Sequence, residues 1–246
     1  MGRLTLNMKL ALPKAILLDL DDTIIAGESL KLECWERVRS EFAAEIDFTE
    51  PGKLIESILE HSDTFWSDPE RHRIWRQNLE GARRMIVLQT FTDWKSDNRE
   101  LAERMADRFS VIREQAIHPF PGAIDTVRRF REEGVGLALI TNGGSAPQRR
   151  KIQRFGLEEL FDHIFIEGEH GFGKPDERIY AKALSALGAE PEDTWMIGDN
   201  PIWDVVAPQK LGIRGIWINS GNGTHVAEFK PFMTISKLTE IMKYVE

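Results

Sequence analysis

The stretch Ala15-Ile16-Leu17-Leu18-Asp19-Leu20-Asp21-Asp22-Thr23 decides how the rest of the chain is read. Four consecutive apolar residues predict a short strand buried on both faces, as in the interior of a parallel sheet. Three carboxylates and a hydroxyl follow within five positions. Carboxylates held close together repel and resist ionising together. Taken alone, the cluster admits two readings: a metal-binding or acid/base site, or a capping acid with solvated neighbours.

Outward from that stretch the pattern changes twice. Ile24 to Glu28 reads as a turn, and from Ser29, the expected N-cap, apolar residues recur at helical steps: Leu30, Cys34, Trp35, Val38 and Phe42. The same period continues through Leu54 to Leu59, through Trp75, Leu79, Ala82 and Ile86, and through Leu101, Met105, Phe109 and Ile112. This predicts an all-helical block of about ninety residues. At His118-Pro119-Phe120-Pro121-Gly122 a turn-rich boundary intervenes, and strands then alternate with helices in the manner of βαβ units. Buried strands are expected at Val135 to Ile140, His163 to Ile166, Trp195 to Ile197 and, last, Gly215 to Ile218, with a C-terminal helix from about Ser236. The expected fold class is therefore α/β, a Rossmann-like parallel sheet flanked by helices and interrupted by an inserted helical domain. Residues 1–25 and 117–246 would form the core and 26–116 the insertion, with hinges near Ala26 and Ile117.

Composition narrows the function. A formal net charge of −8 argues against general nucleic-acid binding, which draws on excess Lys and Arg. A single cysteine, Cys34, forms no internal disulfide and fits a reducing compartment. Leu4 to Leu12 is too short to span a membrane and is interrupted by Asn7 and Lys9; the residues before Pro13 read as a lead-in, with Met8 as an alternative start. A cytoplasmic protein with no nucleic-acid or membrane partner is expected.

In open parallel sheets ligands gather at the carboxyl ends of the strands. Here those ends carry Asp19 and Asp21, Thr141, and Asp199, with Lys174 and Asp204 in the loops that follow. Converging carboxylates suit a hard, oxygen-preferring ion such as Mg²⁺, while a lysine and a hydroxyl suit a phosphoryl group.

These residues in this order resemble the haloacid dehalogenase superfamily. Its Asp-x-Asp-x-Thr pattern stands as Asp19-Leu20-Asp21-Asp22-Thr23, its second motif as Thr141-Asn142-Gly143, its Lys-Pro pair as Lys174-Pro175, and its Gly-Asp-x4-Asp signature as Gly198-Asp199 through Asp204. Asp22 stands where many relatives carry Gly. The resemblance spans residues 13 to 25 and 118 to 246. It implies a Mg²⁺-dependent phosphohydrolase of small phosphomonoesters acting through an aspartyl-phosphate. Asp19 would be the nucleophile and Asp21 the acid and base; Thr141, Asn142 and Lys174 would hold phosphate oxygens. The metal would take the carboxylates of Asp19 and Asp199 and the main-chain carbonyl of Asp21, with Asp204 direct or one shell out. The acid two residues after the nucleophile speaks against carbon–halogen cleavage. The helical insertion matches the family's cap after the first motif, and too little chain separates Thr141 from Lys174 for a second large cap. A phosphomutase shares all four motifs and stays open as an alternative, as does a non-catalytic binding protein on the same fold. The partner implied is a small phosphorylated metabolite, with the chain a monomer or homodimer.

Within the insertion, Trp35, Trp66, Trp75 and Trp94 fall at helical spacing and read as core rather than pocket lining. Arg71, His72, Arg73, Arg76, Arg83 and Arg84 read first as a solvated face, with Arg76–Glu80 and Glu80–Arg84 pairs four residues apart, and contact with an anionic part of a substrate stays open as the alternative. His61, His72, His118 and His163 show no metal-ligand spacing.

Overall fold

A computed structural model describes residues 9–48, 50–221 and 230–245; Leu4, Asn7 and Met8 of the expected lead-in lie outside them. The described residues fall into two compact units, divided between Ala26 and Gly27 and again between His118 and Pro119.

The first unit is built on a six-stranded, wholly parallel sheet. Its strands are β1 (Ala15–Leu18), β2 (Gly136–Thr141), β3 (His163–Ile166), β4 (Thr194–Gly198), β5 (Arg214–Ile218) and β6 (Met233–Ile235). The order across the sheet is β3-β2-β1-β4-β5-β6, so β1 lies inside with β2 on one side and β4 on the other. Burial on both faces explains the unbroken apolar run: every residue of β1 and β4 is buried. The sheet order reverses direction between β1 and β4, which opens a crevice at their carboxyl ends.

The second unit is all-helical among its described residues: α1 (Lys31–Phe42), α2 (Pro51–Ser67), α3 (Pro69–Trp75), α4 (Leu79–Asp93) and α5 (Arg99–Ala116). Its helix starts follow from local chemistry. Pro51 and Pro69 open α2 and α3, where a missing N–H costs nothing, and the side chains of Asp68, Asn78 and Asn98 accept from the first-turn amides of α3, α4 and α5. One apolar core gathers Trp35, Leu54, Ile58, Val87, Phe91, Met105 and Phe109, with Trp66, Trp75 and Trp94 partly buried against it. Trp35 stacks on Phe109 at 4.1 Å between ring centroids. The tryptophans are thus core, as the spacing predicts.

Helices α6 (Ala123–Glu132), α7 (Ser145–Arg154), α8 (Glu167–His170) and α9 (Glu177–Leu187) accompany the sheet. Among the described residues no helix is long and apolar enough to cross a membrane.

Four local expectations need correction. The last strand is Met233–Ile235, beyond Gly215 to Ile218, and after it the chain forms a short 3₁₀ turn at Leu238–Lys243 rather than an α-helix from Ser236. Ser29 sits inside a 3₁₀ turn, Glu28–Leu30, and Leu30 precedes the first helical residue, so Ser29 does not cap α1. The chain breaks between Trp75 and Leu79, so Arg76 and Glu80 share no helical face. Glu80 and Arg84 do share α4, and Arg84 also grips Asp107 of α5 with two hydrogen bonds, of 2.6 and 2.8 Å.

Asp22 has φ 58°, the left-handed region in which a Cβ crowds the following carbonyl. A glycine is at ease there, and a short polar side chain such as Asp tolerates it. Asp22→Gly is expected to shift the urea unfolding free energy by less than about 1 kcal/mol, and Asp22→Val to lower it by about 1–2 kcal/mol or more, since a β-branched side chain cannot relax into that region.

Candidate functional site

Two strand ends of the sheet deliver the three acids. Asp19 follows β1 directly, and its amide donates to the Ile197 carbonyl of β4 at 3.0 Å, so the backbone fixes the acid at the crevice. Asp199 follows β4, and its carbonyl accepts from the Trp217 indole at 2.8 Å. Asp204 is fully buried in a single π-type turn, Pro201–Val206. Asn200 caps that turn by accepting from the amides of Ile202 and Trp203, and its own amide donates to Asp204 Oδ2 at 3.0 Å. The turn presses so closely on β4 that a Cβ at Gly198 would coincide with the Asp204 carboxylate. The glycine of the Gly-Asp pair is therefore a space requirement.

Lys174, 1% exposed, reaches between two of these acids. Its ammonium donates to Asp19 Oδ1 at 2.7 Å and to Asp204 Oδ1 at 2.6 Å. Burial works against its charge, yet the two carboxylates outweigh burial and hold the lysine protonated well above its ordinary range. The acids show the reverse balance. Burial, partly offset by Lys174, pushes Asp19 up to about 7. Burial and then the charges of Asp19, Asp204 and Asp22 push Asp199 up to about 9. Three acids share one ammonium, so ionising all three would leave an excess of negative charge.

Asp19, Asp199 and Asp204 each offer an oxygen, and these oxygens all lie within 4.8 Å of one another. An all-oxygen donor set with excess negative charge fits a hard divalent cation, so this cluster can hold a metal ion. Among the described residues no other group of three such side chains is positioned in this way.

Thr141 ends β2 and is buried. Asn142 follows it, and its side chain meets the Lys174 backbone twice: its amide donates to the Lys174 carbonyl at 2.7 Å, and its oxygen accepts from the Lys174 N–H at 2.8 Å. This two-way clasp fixes the backbone that carries the lysine. Gly173 makes room for it, since a Cβ there would meet Asn142 Oδ1. The Lys174–Pro175 peptide is cis. Thr23 is buried, and its hydroxyl has no partner among the described residues.

Asp21 stands apart from this cluster. Its neighbours close a small loop by backbone bonds, with Ile24 and Ile25 donating to the Leu20 carbonyl and Asp22 to Ile25. The Asp21 side chain is held by α7: Lys151 Nζ lies 2.7 and 2.9 Å from its two oxygens, and Gln148 Nε2 donates to Oδ2 at 3.0 Å. Sequence reading missed both residues. The available signal was a three-residue spacing, which puts them on one side of a helix opening three residues after Asn142.

In the helical unit the basic run disperses. Arg71 and Arg73 pair with Asp68 and Glu70. Arg83 instead donates to the Ser110 hydroxyl at 3.0 Å and lies over the Phe109 ring, and burial with neighbouring Arg113 lowers it to about 10.

Three carboxylates and a lysine converge beyond the carboxyl ends of β1 and β4 in the α/β unit. Comparison with known proteins makes the class definite: residues 13–212 match the model of haloacid dehalogenase-like hydrolases, and the chain belongs to that family. It is 34% identical over 177 residues to a phosphoserine phosphatase of Thermus thermophilus, a match covering 72% of this chain and 65% of that relative's length. It is 26% identical to a glyceraldehyde 3-phosphate phosphatase of Pyrococcus furiosus, covering 95% of this chain and 93% of the relative. Among solved structures, the putative HAD-hydrolase YfnB of Bacillus subtilis, bound to magnesium, superposes with a TM-score of 0.69 at 23% identity, covering 94% and 98% of the two chains. A putative β-phosphoglucomutase of Thermotoga maritima gives 0.67 at 20% identity, covering 94% and 97%.

The raised carboxyls set a pH dependence. Unfolded, Asp19 and Asp199 release their protons near the ordinary carboxyl value of 3.8; folded, they keep them to about 7 and about 9. Between those limits the folded state binds more protons, so stability falls as pH rises. In EDTA the melting temperature is expected to drop from pH 5 to pH 9. Asp199→Asn should flatten the upper part of that drop, and added Mg²⁺ should reduce it in the wild type, both read by thermal melts across pH.

Proposed function

We propose that the protein is a Mg²⁺-dependent phosphohydrolase of a small phosphomonoester, working through an aspartyl-phosphate on Asp19. The observation that carries this reading is the buried Asp19, held by β1 and paired with Lys174 beside two further acids. Phosphatase names among the relatives support it.

In the first displacement Asp19 attacks phosphorus, forming an O–P bond as the ester O–P bond breaks, and Asp21 gives its proton to the departing alkoxide. In the second, Asp21 takes a proton from water, whose oxygen attacks phosphorus, and Asp19 leaves as carboxylate with inorganic phosphate. Lys174 and the Thr141 hydroxyl steady the phosphoryl oxygens. Asn142 contributes by holding the Lys174 backbone. The carboxylates of Asp19, Asp199 and Asp204 and the Asp21 carbonyl would hold Mg²⁺, which would supply positive charge against the negative charge of the reacting groups. The helical unit, residues 26–116 of the expected division, is the cap in this proposal. A small phosphorylated metabolite as partner, a cytoplasmic location, and a monomeric or homodimeric state belong to the same proposal.

The test is phosphate release from sugar phosphates, nucleotides, phosphoserine, glyceraldehyde 3-phosphate and p-nitrophenyl phosphate, each with Mg²⁺ and with EDTA. Metal-dependent release that Asp19→Asn abolishes, with the melting curve retained, is the expected result. Isomerisation of a sugar phosphate without net release would replace the phosphatase by a mutase, and full activity in Asp19→Asn would sink the mechanism.

A further inference from the structure

Helix α7 presents two polar side chains, Gln148 and Lys151, to residues far away in sequence. Gln148 is 4% exposed, so its amide is committed to the interior. Its Nε2 lies 3.0 Å from Asp21 Oδ2, 2.5 Å from Thr141 Oγ1 and 2.9 Å from the Asn142 carbonyl. Lys151 contacts both Asp21 oxygens, at 2.7 and 2.9 Å, with side chains 17% and 31% exposed. A partly exposed ion pair of this kind contributes only about 0–1 kcal/mol to stability. Its geometric effect is larger. Three donor contacts from one turn of one helix set both the position and the plane of the Asp21 carboxyl group. The amide that does so also fixes the Thr141 hydroxyl.

We propose that Gln148 and Lys151 are positioning residues that hold the Asp21 carboxyl group in register with Thr141, so that proton transfer to the leaving oxygen occurs in line with phosphoryl transfer. This rests on the reading of Asp21 as the proton donor. Neither side chain need touch the phosphoester: both act through Asp21. A displacement of about 1 Å at such a group is enough to slow a reaction about a hundredfold.

The consequence is selective. Departure of an alkoxide needs the proton, whereas nitrophenolate leaves without it, so misplacing Asp21 must slow alkyl esters more than p-nitrophenyl phosphate. The measurement is kcat/KM, which reports steps through leaving-group departure. The substrates are p-nitrophenyl phosphate and whichever alkyl phosphomonoester of the substrate panel the wild type hydrolyses fastest. The proteins are wild type, Asp21→Asn, Lys151→Met, Lys151→Arg and Gln148→Ala, each checked by thermal melting.

Lys151→Met and Gln148→Ala are expected to lower kcat/KM for the alkyl ester about tenfold more than for p-nitrophenyl phosphate, a modest part of what general acid catalysis contributes. Lys151→Arg should restore most of the difference. If Asp21→Asn shows the selective loss but Lys151→Met and Gln148→Ala slow both substrates equally, or neither, the positioning inference falls while the role of Asp21 stands. If Asp21→Asn itself shows no selectivity, the reading of Asp21 falls and takes the inference with it. Gln148→Ala keeps the test decisive should Lys151→Met fail to fold.

Discussion

The buried ammonium of Lys174, 2.7 Å from Asp19 and 2.6 Å from Asp204, is the contact on which the rest of the site depends. An unpaired buried charge costs several kcal/mol, and breaking such a pair leaves one behind. Asp204, with no exposure, is tolerable only because both its oxygens are used, one by Lys174 and one by the Asn200 amide. The neighbouring features are conditions for that contact. Gly198 leaves the space for the Asp204 carboxylate, and Asn142 clasps the backbone on both sides of the Lys174 peptide unit. Yet one ammonium does not balance three acids, and the surplus appears in the raised carboxyls of Asp19 and Asp199. The three acid oxygens, all within 4.8 Å of one another, can take a further positive charge.

The sheet makes this arrangement possible. With β1 between β2 and β4, Asp19 and Asp199 leave adjacent strands at the same edge, and the hydrogen bond from Asp19 to Ile197 continues the ladder beyond β1. Thr141 leaves the strand on the other side of β1. Side chains that meet in space are therefore fixed to backbone whose geometry is already set by buried, fully paired strands. No local sequence would bring them together, since Lys174 and Asp19 stand 155 positions apart.

How much of this the sequence discloses depends on where the information resides. The buried strands were legible because burial on two faces demands uninterrupted apolar residues, as in Ile16-Leu17-Leu18 and Trp195-Met196-Ile197. The charged residues at their ends were legible because polar groups after such runs are hard to explain otherwise. Met233–Ile235 was not, being three residues long at the sheet edge, where one partner strand and half-burial leave little pattern. The Ser29 cap failed because a 3₁₀ turn competes for the same residues. The bond from Arg84 to Asp107 was not legible because α4 and α5 pack together, a tertiary effect that i, i+4 spacing does not carry. Gln148 and Lys151 escaped notice for a similar reason: polar residues on a helix suit solvent as well as they suit a carboxylate 127 and 130 positions away.

The acids of the site are held in two different ways, and the difference bears on what each can do. Asp19, Asp199 and Asp204 are placed by strand ends and a capped turn, with burial and backbone hydrogen bonds that resist movement. Asp21 sits on a small loop and its carboxylate is contacted by two side chains of another element, one of them a flexible lysine. A nucleophile and metal ligands benefit from rigidity, because their attack geometry and charge arrangement must be ready before substrate arrives. The proton-transfer role proposed for Asp21 asks for a group that donates on one step and accepts on the next, and such a group gains from contacts that can be exchanged; Asp21, 31% exposed and gripped by side chains of α7, is held in that way.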